Sequence, residues 1–469
     1  MPPHPSAAPR DEPVIRDRGD ACPGALRLHA ADDGHLARVR IPGGLLTGAA
    51  AGALADAADR LGDGRLDLTS RGNIQLRGLG ASCGGDLGQL LADAGLLPAP
   101  THERIRNVVM SPLTGTGPGG RADVEGWVRE LDRLLCSADW AAALSGRFLF
   151  ACDDGRGDVA ALDPDVLLQA VPDAQPVAPD ADSGTGTGAG TRQGFAHGSG
   201  AGGAVGGLAL VRAGDAAEAV EVAHADAPRA ALVVARAFLD AARLAGTRAW
   251  QIRELPPEHA LDADRLASLM RAEGIPGARA VPAPAGTAAE PPVPGPVGGA
   301  LAVGVPLGRL TAAQLRALAE ASGGEGGRLR ATPWRGFVLP GPVARTVPAA
   351  ATALAAAGLV TDPGHPSEGV TACAGRPGCA KSLADVRADA LSALARPAGP
   401  GPGAERRAAP LPVHFSGCAR RCGHPRGTAW VDVLATGHGY ELSVHGRPVP
   451  SGPDLAASLT HARNTPAER

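Results

Sequence analysis

The chain has 469 residues, of which 44% are hydrophobic and 20% charged, with a formal net charge of −3. That balance supports a globular, soluble chain of two or three domains, and a near-neutral charge with 3% aromatic residues leaves no basic, stacking surface for nucleic acid. No stretch approaches the roughly 18 uninterrupted apolar residues of a membrane span; the best, 230–246, is broken by Arg236, Asp240 and Arg243.

In chain order, residues 1–20 are proline-rich and charged and contain no apolar stretch of the signal-peptide kind, which predicts a disordered tail on a cytoplasmic protein. Residues 39–78 and 303–341 then run in step. Pro42 aligns with Pro306, Thr47 with Thr311, Leu54 with Leu318, and Arg71-Gly72 with Arg335-Gly336. Each copy reads as strand, Thr-capped helix, Gly-rich turn, strand. Two half-domains, 21–98 and 300–358, are therefore expected to pair about a pseudo-two-fold axis. Thr69, Arg71, Asn73 and Gln75 are assigned to one strand, with Arg71, Asn73 and Gln75 on one face.

Between the copies, residues 99–280 predict an α/β domain with helices around 123–136 and 228–245. The glycine-rich run 179–207 is expected as a flexible insertion, and 281–299 as a Pro/Gly linker. Lys381 is the only lysine, so nearly all positive charge is guanidinium, whose planar fork matches carboxylates two bonds at a time. No nicotinamide or flavin fingerprint follows a predicted strand.

Residues 359–469 hold two cysteine pairs, Cys373 and Cys379 in TACAGRPGC and Cys418 and Cys422 in SGCARRC. Gly375, Pro377 and Gly378 suit a tight loop whose thiolates converge. The following AKSLADVRADALSALAR predicts an amphipathic helix, which puts the loop at a positive helix N-terminus. If residues 419–421 form a helical turn, the sulfurs of Cys418 and Cys422 share a face. Four thiolates select zinc or an iron–sulfur cluster. The wide spacings favour a cubane, with zinc as the alternative. Cys22, Cys83, Cys136 and Cys152 read as small buried residues, Cys22 in its ACPG setting least readily.

Together the C-x5-C and C-x3-C pairs, the repeated half-domain and LTSRGNIQLRG (68–78) resemble the sulfite and nitrite reductase superfamily. The resemblance implies an α+β, nitrite/sulfite reductase-like fold: two ferredoxin-like half-domains paired by pseudo-two-fold symmetry plus two α/β domains. It also implies a [4Fe–4S] cluster on Cys373, Cys379, Cys418 and Cys422, the last bridging to a sirohaem. Within the superfamily, TACAGRPGCAKSLADVRADA, HFSGCARRCGHP, TPWRGFVLPG and DACPGALRLH resemble the precorrin-3B synthase family. This second resemblance implies a monooxygenase of aerobic cobalamin biosynthesis, which hydroxylates precorrin-3A at C20 and closes a γ-lactone. Its co-substrate would be O2, and because the chain lacks a nicotinamide or flavin fingerprint a separate NAD(P)H-dependent electron donor is the expected partner.

The superfamily's LPRKFK-type anion stretch corresponds here to LSGRFLF (144–150), where Arg147 replaces the first lysine and Leu149 the second. Arg71 and Arg106 match its two arginines. Losing a cation weakens the small-anion reductase reading, because a buried oxyanion needs its charge compensated. Arg71, Arg106 and Arg335 are taken as the groups that clamp tetrapyrrole carboxylates. Arg77, Arg104 and Arg147 divide evenly between that role and solvated surface charge. His414 and His424 are candidates to ligate or tune the cluster. A thiolate-saturated cubane has no open position for O2, so a second iron is expected, non-haem or, in the alternative reading, sirohaem. The alternatives are a sirohaem-dependent nitrite or sulfite reductase and, in another class, a non-catalytic iron–sulfur carrier or zinc-stapled protein.

Overall fold

The computed structural model describes residues 20, 22–116, 119–171, 207–284, 290–341, 347–395, 411–425, 429–450, 452 and 454–464. The tail expected over 1–20 and the insertion expected over 179–207 lie outside the described residues, apart from Asp20 and Gly207.

The first half-domain contains β1 (His29–Ala31), β2 (Gly34–Val39), β3 (Leu45–Thr47), α1 (Gly48–Leu61), β4 (Arg65–Leu68), β5 (Ile74–Leu79) and α2 (Gly84–Asp93). Thr47 ends a strand with extended backbone, and its hydroxyl accepts the Ala50 amide at 3.1 Å, which starts α1. Ala51, Leu54, Ala55 and Ala58 recur at helical spacing and are fully buried. The middle domain follows with β6 (Val108–Met110), α3 (Glu125–Ser137), β7 (Phe150–Asp153), β8 (Val166–Ala170), β9 (Leu208–Ala213), β10 (Glu218–Ala223), α4 (Ala227–Leu244), α5 (Ala263–Ala272) and β11 (Arg279–Pro282). The second half-domain contains β12 (Gly295–Val297), β13 (Ala300–Gly304), β14 (Arg309–Thr311), α6 (Ala312–Ala321), β15 (Arg328–Ala331), β16 (Gly336–Pro340) and α7 (Val347–Ala356). The expected linker 281–299 is thus partly structured, carrying the end of β11 and all of β12.

The half-domain sheets run β1-β2-β5-β4-β14 and β12-β13-β16-β15-β3. Each half lends its short third strand to the other: Leu310 lies opposite Leu66, and Leu46 opposite Leu329. With α1 packed on α6, Leu54, Leu66, Leu318 and Leu329 belong to one core. The expected pseudo-two-fold pairing is therefore built from exchanged strands.

Two local expectations change. Arg71 and Arg335 lie in tight turns between strands rather than on them, so period-two alternation does not connect Arg71 with Gln75. The repeat also slips by one residue before the turn: Gly72 N donates to Thr69 O, and Arg335 N donates to Thr332 O. Gly72 (φ 66°) and Arg335 (φ 61°) are thus equivalent, and Trp334 stands where Arg71 does.

The middle sheet runs β11-β10-β9-β8-β7-β6, with β6, β7 and β8 parallel. The C-terminal domain contains β17 (Val370–Ala372), α8 (Val386–Ala395), β18 (Val413–Ser416), β19 (Val431–Thr436), β20 (Gly439–Val444), β21 (Arg447–Val449) and α9 (Leu455–Asn464). Its sheet repeats the pattern: β17, β18 and β19 are parallel, then two antiparallel strands follow. Among the described residues no helix is long and apolar enough to cross a membrane.

Candidate functional site

Cys373 follows β17 and Gly417-Cys418 follows β18, neighbouring parallel strands that bring both loops to one sheet end. The Cys373 amide donates to Phe415 O at 2.9 Å, and the Gly417 amide donates to Cys373 Sγ at 3.2 Å. A Cβ on Gly417 would stand 1.9 Å from Ser382 Oγ, so the two loops close on each other only with glycine there. Two expected details differ. Helix α8 begins at Val386, with Asp385 Oδ1 accepting the Ala388 amide, so Cys379 does not sit at a free helix N-terminus. Residues 419–421 form a tight turn with Arg421 left-handed (φ 48°), not a helical turn.

Burial pushes the Cys422 thiol up, and the charges of Cys418, Cys373 and Cys379 push it further. The four cysteines are therefore close enough for the charges of the other three to act on Cys422. Among the described residues, no three His, Cys, Asp or Glu side chains gather closely enough to hold a single metal ion. Cys373, Cys379, Cys418 and Cys422 are soft sulfur donors of the kind that an iron–sulfur cluster or zinc takes. Among the described residues no side-chain set that could hold a second iron is formed.

His414 is fully buried, and burial followed by the nearby Arg335 charge pushes its pKa down to about 3. Its Nδ1 meets Thr371 Oγ1 at 2.8 Å and its Nε2 meets Cys422 O at 3.1 Å, so the ring braces the Cys422 loop with both nitrogens engaged. His424 stacks on Trp430 with centroids 5.2 Å apart. Of the other cysteines Cys152 alone is buried; Cys22, Cys83 and Cys136 are half-buried.

The predicted arginines divide into sets. Arg71 lies on the middle-domain side, its Nη1 3.5 Å from Gly146 O. Burial lowers its pKa first, Asp165 and Cys22 oppose that, and Arg38 and Arg147 add to it. Arg335 lies beside the Cys422 loop, 3.4 Å from Gly423 O, with Nη1 buried and without a partner. Arg106 joins neither set. Its fork binds both oxygens of Asp132 at 2.7 Å and its Nη1 donates to Leu96 O, so the expected clamp is spent on an internal ion pair. Arg77 is held by Asp33, Arg104 donates to Asp20 O, and Arg147 stacks over Trp250 at 4.7 Å.

Two residues beside Arg71 were missed. Arg38 donates to Gln75 Oε1 and leaves Nε buried without a partner; Arg40, 3% exposed, reaches Arg104 O and Gly146 O. Burial and then the Arg38 charge push the pKa of Arg40 down to about 9. The signal was present in ARVRIPGG, where arginines two apart on extended backbone share a face. Among the described residues, Arg38, Arg40, Arg71 and Arg335 bond carbonyl or amide oxygens and no carboxylate. A desolvated guanidinium to which no carboxylate is bonded is unfavourable, and an anion that bonds it directly relieves that cost.

Residues 29–82 and 294–357 match the nitrite/sulfite reductase ferredoxin-like half domain. Over 437 residues the chain is 26% identical to a precorrin-3B synthase from Sinorhizobium sp, covering 92% of this chain and 84% of that one. A ferredoxin–nitrite reductase from Leptolyngbya laminosa is 33% identical over 102 residues, 21% of this chain and 20% of its own. Another from Synechococcus elongatus is 31% identical over 127 residues, 26% and 25% of the two chains. These relatives are oxidoreductases. The Mycobacterium tuberculosis NirA protein shares the fold, with a TM-score of 0.61 at 20% identity over 89% of this chain and 76% of that one. The chain therefore carries two segments that match the nitrite/sulfite reductase ferredoxin-like half domain, and along most of its length it is similar to a precorrin-3B synthase.

Proposed function

We propose that the chain acts as a precorrin-3B synthase. In this reaction one atom of O2 enters precorrin-3A at C20, the ring A acetate closes a γ-lactone, and the other oxygen atom leaves as water. A separate NAD(P)H-dependent donor supplies the two electrons. The reading is carried by the buried Arg40 and the half-buried Arg38, Arg71 and Arg335, none of which bonds a carboxylate among the described residues, because a macrocycle edged with acetates and propionates brings carboxylates to them.

Arg38, Arg40 and Arg71 bind carboxylates on one side and Arg335 on the other, and together they orient the ring. Leu149 supports the choice against a small-anion reductase. It is 2% exposed and packs with Val109, Ala151 and Leu167, so the second cation of the reductase pattern has no substitute there. A [4Fe–4S] cluster on Cys373, Cys379, Cys418 and Cys422 would supply electrons one at a time.

The test is metal and optical analysis of anaerobically purified protein, followed by incubation with precorrin-3A, O2 and a reductant. Iron with acid-labile sulfide, no red-region sirohaem band and oxygenated product are expected. A sirohaem band with nitrite or sulfite reduction would put the reductase first, and zinc without sulfide would sink both readings.

A further inference from the structure

The cysteine loops belong to the C-terminal domain, yet several of their polar contacts come from the half-domains. At the β1–β2 hairpin tip, Asp32 Oδ2 accepts the Ala380 amide at 2.6 Å. Its neighbour Asp33 binds Arg77 through both oxygens at 2.8 Å, and Arg77 Nη2 also donates to Gly378 O at 3.1 Å. A Cβ on Gly378 would lie 2.8 Å from Asp33 Oδ2, so the hairpin meets the chain directly before Cys379.

A second contact forms across the sheet. Asp67, 8% exposed at β4, accepts from Arg309 at 2.7 and 3.0 Å and from Arg387 at 2.9 Å. Arg387 Nε in turn donates to Cys373 O at 3.0 Å. One carboxylate thus ties an arginine of the second half-domain to an arginine that holds the first cluster cysteine. Burial alone would raise the Asp67 pKa, but the Arg309 hydrogen bonds and the Arg387 charge hold it below the usual range, which keeps it ionised. Buried ion pairs add little net stability over apolar packing, so what they contribute here is fixed geometry and fixed charge.

We propose that the Asp33–Arg77 and Asp67–Arg387 pairs are positioning residues for the cluster, holding the Cys379 and Cys373 loops and setting its reduction potential. The inference rests on the reading that the four cysteines carry an iron–sulfur cluster. Cluster potential responds to local charge and to the polar groups around the ligands. Removing a carboxylate raises the potential, and removing a guanidinium lowers it.

The test is a potentiometric EPR titration of the full chain with its cluster, alongside the rate of iron release to a chelator. Asp33→Asn and Asp67→Asn are expected to raise the midpoint, and Arg77→Gln and Arg387→Gln to lower it, with iron release several-fold faster in all four. Arg77→Lys should restore the potential but not the slow release, since it keeps the charge and loses the fork. Arg316→Gln, which breaks an exposed pair with Asp56 and Asp59 elsewhere, should leave both readouts unchanged. Shifts of one sign in all four variants, or unchanged potentials and release at wild-type iron and sulfide content, would overturn the proposal. Wild-type protein without acid-labile sulfide would overturn the cluster reading itself, and the proposal with it.

Discussion

Asp158 and Arg40 are both buried charges, and they predict opposite things. Asp158 is 2% exposed and accepts the Ser111 hydroxyl at 2.6 Å and the Val159 amide at 2.8 Å. Burial pushes its pKa up to about 7; Ser111 opposes the shift, and Asp153 and Asp154 reinforce it. Its folded pKa exceeds the unfolded one, so the contribution to stability is full below about pH 4 and lost as pH rises through 7. Asp158→Asn keeps an acceptor for Ser111 and removes this dependence. It should gain on wild type by roughly 2–3 kcal/mol between pH 5 and 8, read from denaturant melts at the two pH values. Arg40→Met keeps volume and removes a desolvated charge, so melting at or above the wild-type temperature is expected. If the arginines bind macrocycle carboxylates, the same variant raises KM about tenfold or more, the worth of a charge-assisted hydrogen bond. A lower melting point with unchanged KM would refute that role.

At the scale of elements, two threonine caps and one slipped turn show what a repeat encodes. Thr311 closes a reciprocal capping box with Gln314, and Thr47 caps α1 alone. Thr311→Ala should therefore cost about 1 kcal/mol, measured by urea unfolding. Both caps are legible because capping is local: the acceptor and the amide lie three residues apart. The slip at Gly72 and Arg335 is not legible, because Arg-Gly occurs in both copies and only the hydrogen bonds show which residues are equivalent. A left-handed arginine where the other copy has glycine stores strain. Arg335→Gly should relieve it, melt no lower than wild type and weaken substrate binding, which calorimetry on the two proteins would separate. The exchanged strands predict that residues 21–98 alone show no cooperative transition, since β4 lacks β14 and β3 lacks β15.

Across the whole molecule the two α/β domains share one design with different contents. Ser111 N donates to Cys152 O as Cys373 N donates to Phe415 O, and Asp154 N donates to Ser111 Oγ as Gly417 N donates to Cys373 Sγ. The place of Cys373 is thus filled in the middle domain by Ser111, which serves buried aspartates. From the sequence alone came the repeated half-domain, the cap positions and the two cysteine pairs, because each is written in residue type and short spacing. Only the tertiary structure decided the strand exchange and the fate of each arginine. A guanidinium looks the same in sequence whether Asp132 takes it, as with Arg106, or no carboxylate reaches it, as with Arg40. Pairing depends on which distant residue the fold brings within about 3 Å, as with Asp67 and Arg387, 320 positions apart.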